Sequence, residues 1–163
     1  MENIFSRSEQ RLIREGFELI STDFNRPWGG FFVIDENQAQ KFANIYFDGL
    51  NIRELKVAGK LSPKLLLVKP GARLSWQYHY RRKETWSIIE GPVGIARSMT
   101  DEQGDIEIFN TNEKIVMQEG ERHRLIGLAN WGVVAEFWQH TDINNPSNEE
   151  DIVRLQDDYQ RSS

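Results

Sequence analysis

The sequence contains no cysteine, which excludes a disulfide framework, a thiolate metal site and a cysteine nucleophile. It has only three histidines, His79, His123 and His140, so any metal site must draw on few residues and on nitrogen and oxygen donors. No apolar run approaches the ~18 residues of a membrane span, and the opening MENIFSRSEQ has no apolar signal core. Both absences lead us to expect a cytoplasmic protein with no membrane partner. Basic residues are also short: 20 Lys and Arg against 25 Asp and Glu leave a net charge of -5, which argues against a nucleic-acid partner. Internal repeats, low-complexity tracts and long linkers are missing too. A chain of 163 residues therefore reads as one domain around one core.

What is present begins with a helical pattern over residues 1–21. Ser6-Arg7-Ser8-Glu9 offers a capping box, and Leu12, Ile13, Phe17 and Ile20 follow at helical spacing. We expect residues 1–24 to form an N-terminal helix packed on the domain of residues 25–163. Asn25-Arg26-Pro27-Trp28-Gly29-Gly30 marks a turn between them. From there the pattern changes to short apolar or alternating runs: 31–34, 41–47, 51–57, 64–69, 74–80, 85–89, 93–98, 105–109, 114–117, 123–128 and 133–139. Turn signals at Asp35-Glu36-Asn37, Asp48-Gly49, Gly59 and Pro70-Gly71 separate the first of them. Short strands with frequent turns predict a mainly β fold, a sandwich, jelly roll or barrel rather than βαβ units. The tail 144–163 is polar and acidic. It reads as a solvated face, pinned by Ile152, Val153 and Leu155.

The chemistry concentrates between Gly71 and Gly91. On a strand, Arg73, Ser75, Gln77 and His79 share one face, opposite Leu74, Trp76 and Tyr78. Such a polar face is expected if it lines a cavity. Glu84 lies across a short turn, on the next strand, and His123 follows the glycine turn at Gly120. Gln77, His79, Glu84 and His123 offer two imidazoles, a carboxylate and an amide oxygen, a set that suits a divalent zinc, iron, manganese or nickel ion. The residues alone leave a second reading open, two unrelated histidines on a polar barrel.

Gly71 to Gly91 resembles the first motif of the cupin superfamily, with its full spacing and with Gln77 in place of the first histidine. Gln118-Glu119-Gly120-Glu121-Arg122-His123 resembles the second motif. It departs at Gln118, where the motif has proline, at Asn112, where it opens on glycine, and at Gly127, where it ends on asparagine. Leu74-Ser75-x-Gln77-x-His79 followed by Arg82-x-Glu84-x-Trp86 is similar to the type II phosphomannose isomerases. Arg26-Pro27-Trp28-Gly29, Pro70 to Ser75 and Glu150 to Tyr159 resemble further stretches of that domain, in order along the chain. The family commonly has histidines where Tyr80, Arg81 and Thr85 stand here. The nucleotidyltransferase half that usually accompanies the domain is not in this sequence, so guanylyl transfer is not carried over.

The resemblance implies a cupin double-stranded β-helix, a jelly-roll barrel, preceded by the N-terminal helix. It implies a divalent metal, zinc first, held by Gln77, His79, Glu84 and His123. It implies isomerisation between mannose 6-phosphate and fructose 6-phosphate, or alternatively a non-catalytic metal-binding cupin that binds a sugar phosphate or sugar nucleotide. For the anionic substrate we expect the cations Arg73, Arg82 and Arg124 as catalytic partners. Arg73 leads, because it shares the face of Gln77; simple alternation turns Arg124 away. Ser75 and Trp86 are the expected sugar contacts. The ligands themselves make poor bases, so the proton carrier stays unassigned. Pairing into a homodimer is expected by fold analogy alone.

Overall fold

Strands β3 to β10 of the computed structural model, which describes residues 3–55 and 60–160, build two facing antiparallel sheets. They are β3 (Lys64–Val68), β4 (Trp76–Tyr78), β5 (Arg82–Glu90), β6 (Val93–Ser98), β7 (Ile106–Phe109), β8 (Lys114–Met117), β9 (Arg122–Ile126) and β10 (Gly132–His140). The orders β3-β10-β5-β8 and β4-β9-β6-β7 interleave the chain between the sheets, which is the jelly-roll connectivity of a double-stranded β-helix. β1 (Leu19–Arg26) and β2 (Gly29–Ile34) extend the first sheet beyond β3. β11 (Val153–Gln156) extends the second beside β4.

The barrel interior holds Leu66, Val68, Trp86, Ile88, Val93, Ile95, Ile115, Met117, Leu125 and Val134. A second core lies on the outer face of the larger sheet. There Leu65, Leu67, Val133, Ala135 and Phe137 meet the helices α1 (Ile4–Arg14) and α2 (Ala39–Tyr46). β3 and β10 are thus covered on both faces, which is why 64–69 and 133–139 read as nearly continuous apolar runs.

The N-terminal helix is shorter than expected. Its N-cap is Asn3, whose side chain accepts from the Phe5 amide at 2.7 Å; Ser6 and Glu9 lie inside the helix and form no cap. It stops at Gly16 (φ 86°), where the amides of Gly16 and Phe17 donate to the carbonyls of Ile13 and Leu12. That pair of bonds is the glycine-terminated C-cap that L side chains resist. Residues 19–24, expected to end the helical segment, and Asn25 and Arg26, expected in the turn, are strand β1, and Ile20 is exposed.

The run 41–47 is helix α2 rather than strand. Ala39, Phe42, Ala43 and Tyr46 are its buried positions, a spacing of three and four. Within 51–57, Ile52–Leu55 forms the short helix α3. Residues 56–57, the turn expected at Gly59, and residues 1–2 and 161–163 at the two ends lie outside the described residues. The acidic tail contributes strand β11, which pairs Val153 with Tyr78 and Arg154 with Gln77. Among the described residues no helix is long and apolar enough to cross a membrane.

Candidate metal centre

Two ladders and a turn hydrogen bond aim the polar side chains at one end of the barrel interior. β4 meets β9 with Gln77 opposite His123. β5 meets β10 with Glu84 opposite Trp138 and Trp86 opposite Glu136. The Gly120 amide donates to the His79 carbonyl at 2.9 Å, from a turn whose φ of 76° favours glycine. The two sequence motifs are therefore stitched together by main chain.

His79, Glu84 and His123 are all buried, and one ligand atom from each lies within 4.8 Å of the others. His79 Nε2 is 3.0 Å from Glu84 Oε1, and His123 Nε2 is 3.5 Å from Glu84 Oε2. The opposite ring nitrogens are tied back. His79 Nδ1 donates to the Asp151 carbonyl at 2.5 Å, and His123 Nδ1 to the Glu121 carbonyl at 3.1 Å. A neutral imidazole carries one N–H, so these bonds leave the Nε2 lone pairs facing the carboxylate. His123 Nε2 is buried without a hydrogen-bond partner. An orphaned lone pair beside a carboxylate calls for a positive charge between them.

The electrostatics agree. Burial opposes ionisation of Glu84, but His79 and Arg82 outweigh it and hold the carboxyl well below its usual range. Burial dominates at His79 and pushes it below the ordinary imidazole value. At His123 burial acts the same way, and the Glu84 carboxylate reverses it, for a net shift upward. Two nitrogens and a carboxylate fit a divalent ion of the zinc type, with room for further ligands.

Gln77 joins the group by register and lines the same cavity as Glu84. Its amide oxygen accepts from the buried Ser75 hydroxyl, so Ser75 orients Gln77. Arg82 is also buried. Its guanidinium lies 3.1 Å from Glu84 Oε1 and 3.3 Å from His79 Nε2, and stacks 3.6 Å from the Trp138 ring. Trp86 stands edge-on to the His123 ring at 5.7 Å.

Two of the expected cations are not brought here. Arg73 is half-exposed and pairs with Asp158 at 2.6 and 2.9 Å, because the chain is not yet in β4 at that point. Arg124 points to the outer face of β9, as alternation requires. There it donates to the Leu74 carbonyl and to Gln103 and Gln156. His140, buried, is held by the Lys60 carbonyl and the Ser147 amide.

The cavity beside the cluster measures about 550 Å³. Its walls add residues that were not expected in the site: Glu136, Trp138, Lys64, Arg26 and Arg154. Glu136 is a single carboxylate inside the apolar run Val133 to Trp138, a signal the sequence carried. Lys64 Nζ lies 4.5 Å over the Trp138 ring and 3.1 Å from Glu149. Asp151 sat in the tail expected to be solvated. It is buried, and its carboxylate accepts from the amides of Tyr80 and Arg81 and from the Ser147 hydroxyl.

Residues 40–157 match the family described as mannose-6-phosphate isomerase C-terminal. The chain is 27% identical over 137 residues to the xanthan biosynthesis protein XanB of Xanthomonas campestris pv. campestris (strain B100), covering 84% of this chain and 23% of that protein. It is 28% identical over 155 residues to a mannose-1-phosphate guanylyltransferase of Escherichia coli (strain K12), covering 95% of this chain and 25% of that protein. The chain thus spans about a quarter of the length of these curated relatives. Among solved structures, the capsular polysaccharide assembling protein CapF from Staphylococcus aureus superposes with a TM-score of 0.56 at 15% identity, over 83% of this chain and 34% of that one. That likeness shows the fold.

Proposed function

The chain belongs to the mannose-6-phosphate isomerase C-terminal family, and from that premise we propose that it is a metal-dependent aldose–ketose isomerase acting on mannose 6-phosphate and fructose 6-phosphate. The observation that carries the reading is the buried His79–Glu84–His123 cluster at the wall of a cavity rimmed by cations. A divalent ion held by these three residues, with Gln77 as a fourth donor, supplies Lewis-acid polarisation of the sugar oxygens. Zinc is the ion we expect first, from the nitrogen and oxygen donors.

The chain's own residues do the rest. Lys64, Arg26 and Arg154 hold the phosphate at the cavity mouth. Trp138 walls the sugar, while Trp86, expected as a sugar contact, is buried behind the lining against His123, and Ser75 fixes the Gln77 amide. Arg82 shares the negative charge of Glu84.

A coupled assay for hexose-phosphate isomerisation tests the reading. Turnover that disappears with a chelator and returns with zinc supports it. No turnover on any hexose phosphate, at high enzyme concentration with metal restored, overturns it. One observation favours a second reading, a cupin that binds the sugar phosphate without converting it. The Arg82 guanidinium reaches the atoms of Glu84 and His79 that face the ligand position, and so competes with a metal there. Saturable sugar-phosphate binding in calorimetry, with neither metal nor product, is the outcome that reading requires.

A further inference from the structure

An isomerase that moves hydrogen between C1 and C2 needs a proton carrier that is not a metal ligand. The His79, Glu84 and His123 side chains are committed to the ion. Arg82 and Lys64 are cations, poorly suited to accept a proton. Two further carboxyls line the cavity: Glu149, largely exposed and paired with Lys64, and Glu136, deep within the wall. Glu136, 6% exposed, projects from β10 on the same inner face as Trp138, the partner of Glu84. It is therefore the diagonal neighbour of Glu84 across the ladder.

We propose that Glu136 is the proton-transfer group of the isomerisation, taking the proton from C2 of the aldose and delivering it to C1. The inference rests on the isomerase reading. In the forward direction the C2–H bond breaks and its electrons form the C1–C2 double bond. The C1 carbonyl pair moves to oxygen, which takes a proton from solvent water. The resulting enediol returns the proton of its C2 hydroxyl to water as the C2 carbonyl forms. The double-bond pair takes the proton back from Glu136 at C1. No proton or electron is gained or lost overall.

The surroundings suit that task. Trp86 Nε1 donates to Glu136 Oε2 at 2.9 Å, and Trp138 Nε1 donates to Oε1 at 3.1 Å. Indole N–H groups only donate, so they fix the carboxylate without competing for its proton. Each oxygen keeps a free lone pair. The charged groups facing it are Glu84 and Arg82 from β5 and Lys64 from β3. In the metal-free protein burial and the Glu84 charge push its carboxyl up to about 7, against the pull of Lys64 and Arg82.

The test compares the full chain, metal-loaded, with Glu136→Gln and Glu136→Asp. For Glu136→Gln the expected results are kcat lowered about 1,000-fold with KM within about threefold. Metal stoichiometry is unchanged, and solvent deuterium no longer exchanges into the sugar. Glu136→Asp recovers at least about tenfold of that loss. In the metal-free protein, the Trp86 and Trp138 indole N–H resonances of the wild type shift together across neutral pH. In Glu136→Gln they do not, which assigns the titration without reference to activity. If the wild type turns over and Glu136→Gln keeps its rate and exchange, the inference falls and the isomerase reading stands. If Glu136→Gln loses its metal in proportion to its rate, Glu136 is a structural acceptor for the two indoles and the inference falls. If the wild type neither turns over nor exchanges any hexose phosphate, both fall together.

Discussion

The main-chain carbonyl of Asp151 accepts the Nδ1 proton of His79 at 2.5 Å, so a residue from the C-terminal segment sets the tautomer of the histidine that follows β4. The same residue's carboxylate collects the amides of Tyr80 and Arg81 and so shapes the turn into β5. Partners of this kind orient a ligand as much as the ligand's own strand does. Asp151→Ala is expected to weaken metal affinity about tenfold to 100-fold, read by competition with a chromogenic chelator. It leaves the zinc site chemically complete, so saturating zinc restores most of the turnover.

Removal of a ligand has a different outcome. His123→Ala deletes the orphaned Nε2 and one of the three clustered donors. Bound metal measured by plasma emission should fall below one-tenth of the wild-type content, about the loss expected for a missing first ligand. No zinc concentration should then restore turnover fully.

Lys64 tests the phosphate end of the cavity. Its ammonium sits over Trp138, with Glu149 as a largely exposed partner. Lys64→Met keeps the stem and removes the charge. KM for the sugar phosphate should rise about tenfold or more with kcat little changed, the pattern of a lost uniform binding contact.

The two arginines that do not reach the cluster should separate by stability. Arg124→Ala leaves the Leu74 and Gln156 carbonyls and the Gln103 side chain without their donor, and a denaturant titration should show a loss of about 2–3 kcal/mol. Arg73 makes a half-exposed pair with Asp158, and Arg73→Ala should cost about 0.5 kcal/mol or less. Neither change should alter kcat/KM by more than about twofold.

Glu136 makes the metal-free protein sensitive to pH. Its folded value of about 7 lies above the ordinary 4.5, so the folded state holds this proton more tightly than the unfolded chain does. Its contribution is fully present below pH 4.5 and is lost as pH rises through about 7. The cost at pH 8 is on the order of 3 kcal/mol. Glu136→Gln should therefore gain stability relative to wild type between pH 4.5 and 8, as thermal melts at both ends would show.

Much of the barrel was legible because its strands carry clear bounds. Runs 93–98 and 114–117 became β6 and β8 with the same limits. The run 41–47 misled because Phe42 and Ala43 are adjacent apolar residues, which fit a buried strand until Ala39 and Tyr46 are seen at helical distance. Gly16 does not stand out as a stop in the sequence, because Phe17 and Ile20 continue the helical spacing beyond it. Of the site, the spacing of Gln77, His79 and Glu84 was readable because it lies within eight consecutive residues, from β4 through a short turn into β5. Glu136 and Asp151 were not, since their roles depend on β10 and the C-terminal segment returning to the same wall. Those contacts span about fifty residues or more, so the lone carboxylate in the run 133–138 marks Glu136 as unusual without saying what it meets.

β10 separates two unlike environments by the width of one backbone. Ala135 and Phe137 face the helical layer, while Glu136 and Trp138 face the cavity. A slip of one residue against β5 would drive a carboxyl among Phe42, Phe47 and Leu65 and set a phenylalanine beside His79. The free-energy cost of moving an ionisable group into hydrocarbon excludes that register. The polar wall is thus a folding instruction as well as a chemical one. It tells the strand which way up to pair, and a variant that neutralises the wall by an apolar residue would give up a safeguard against misregistered sheets.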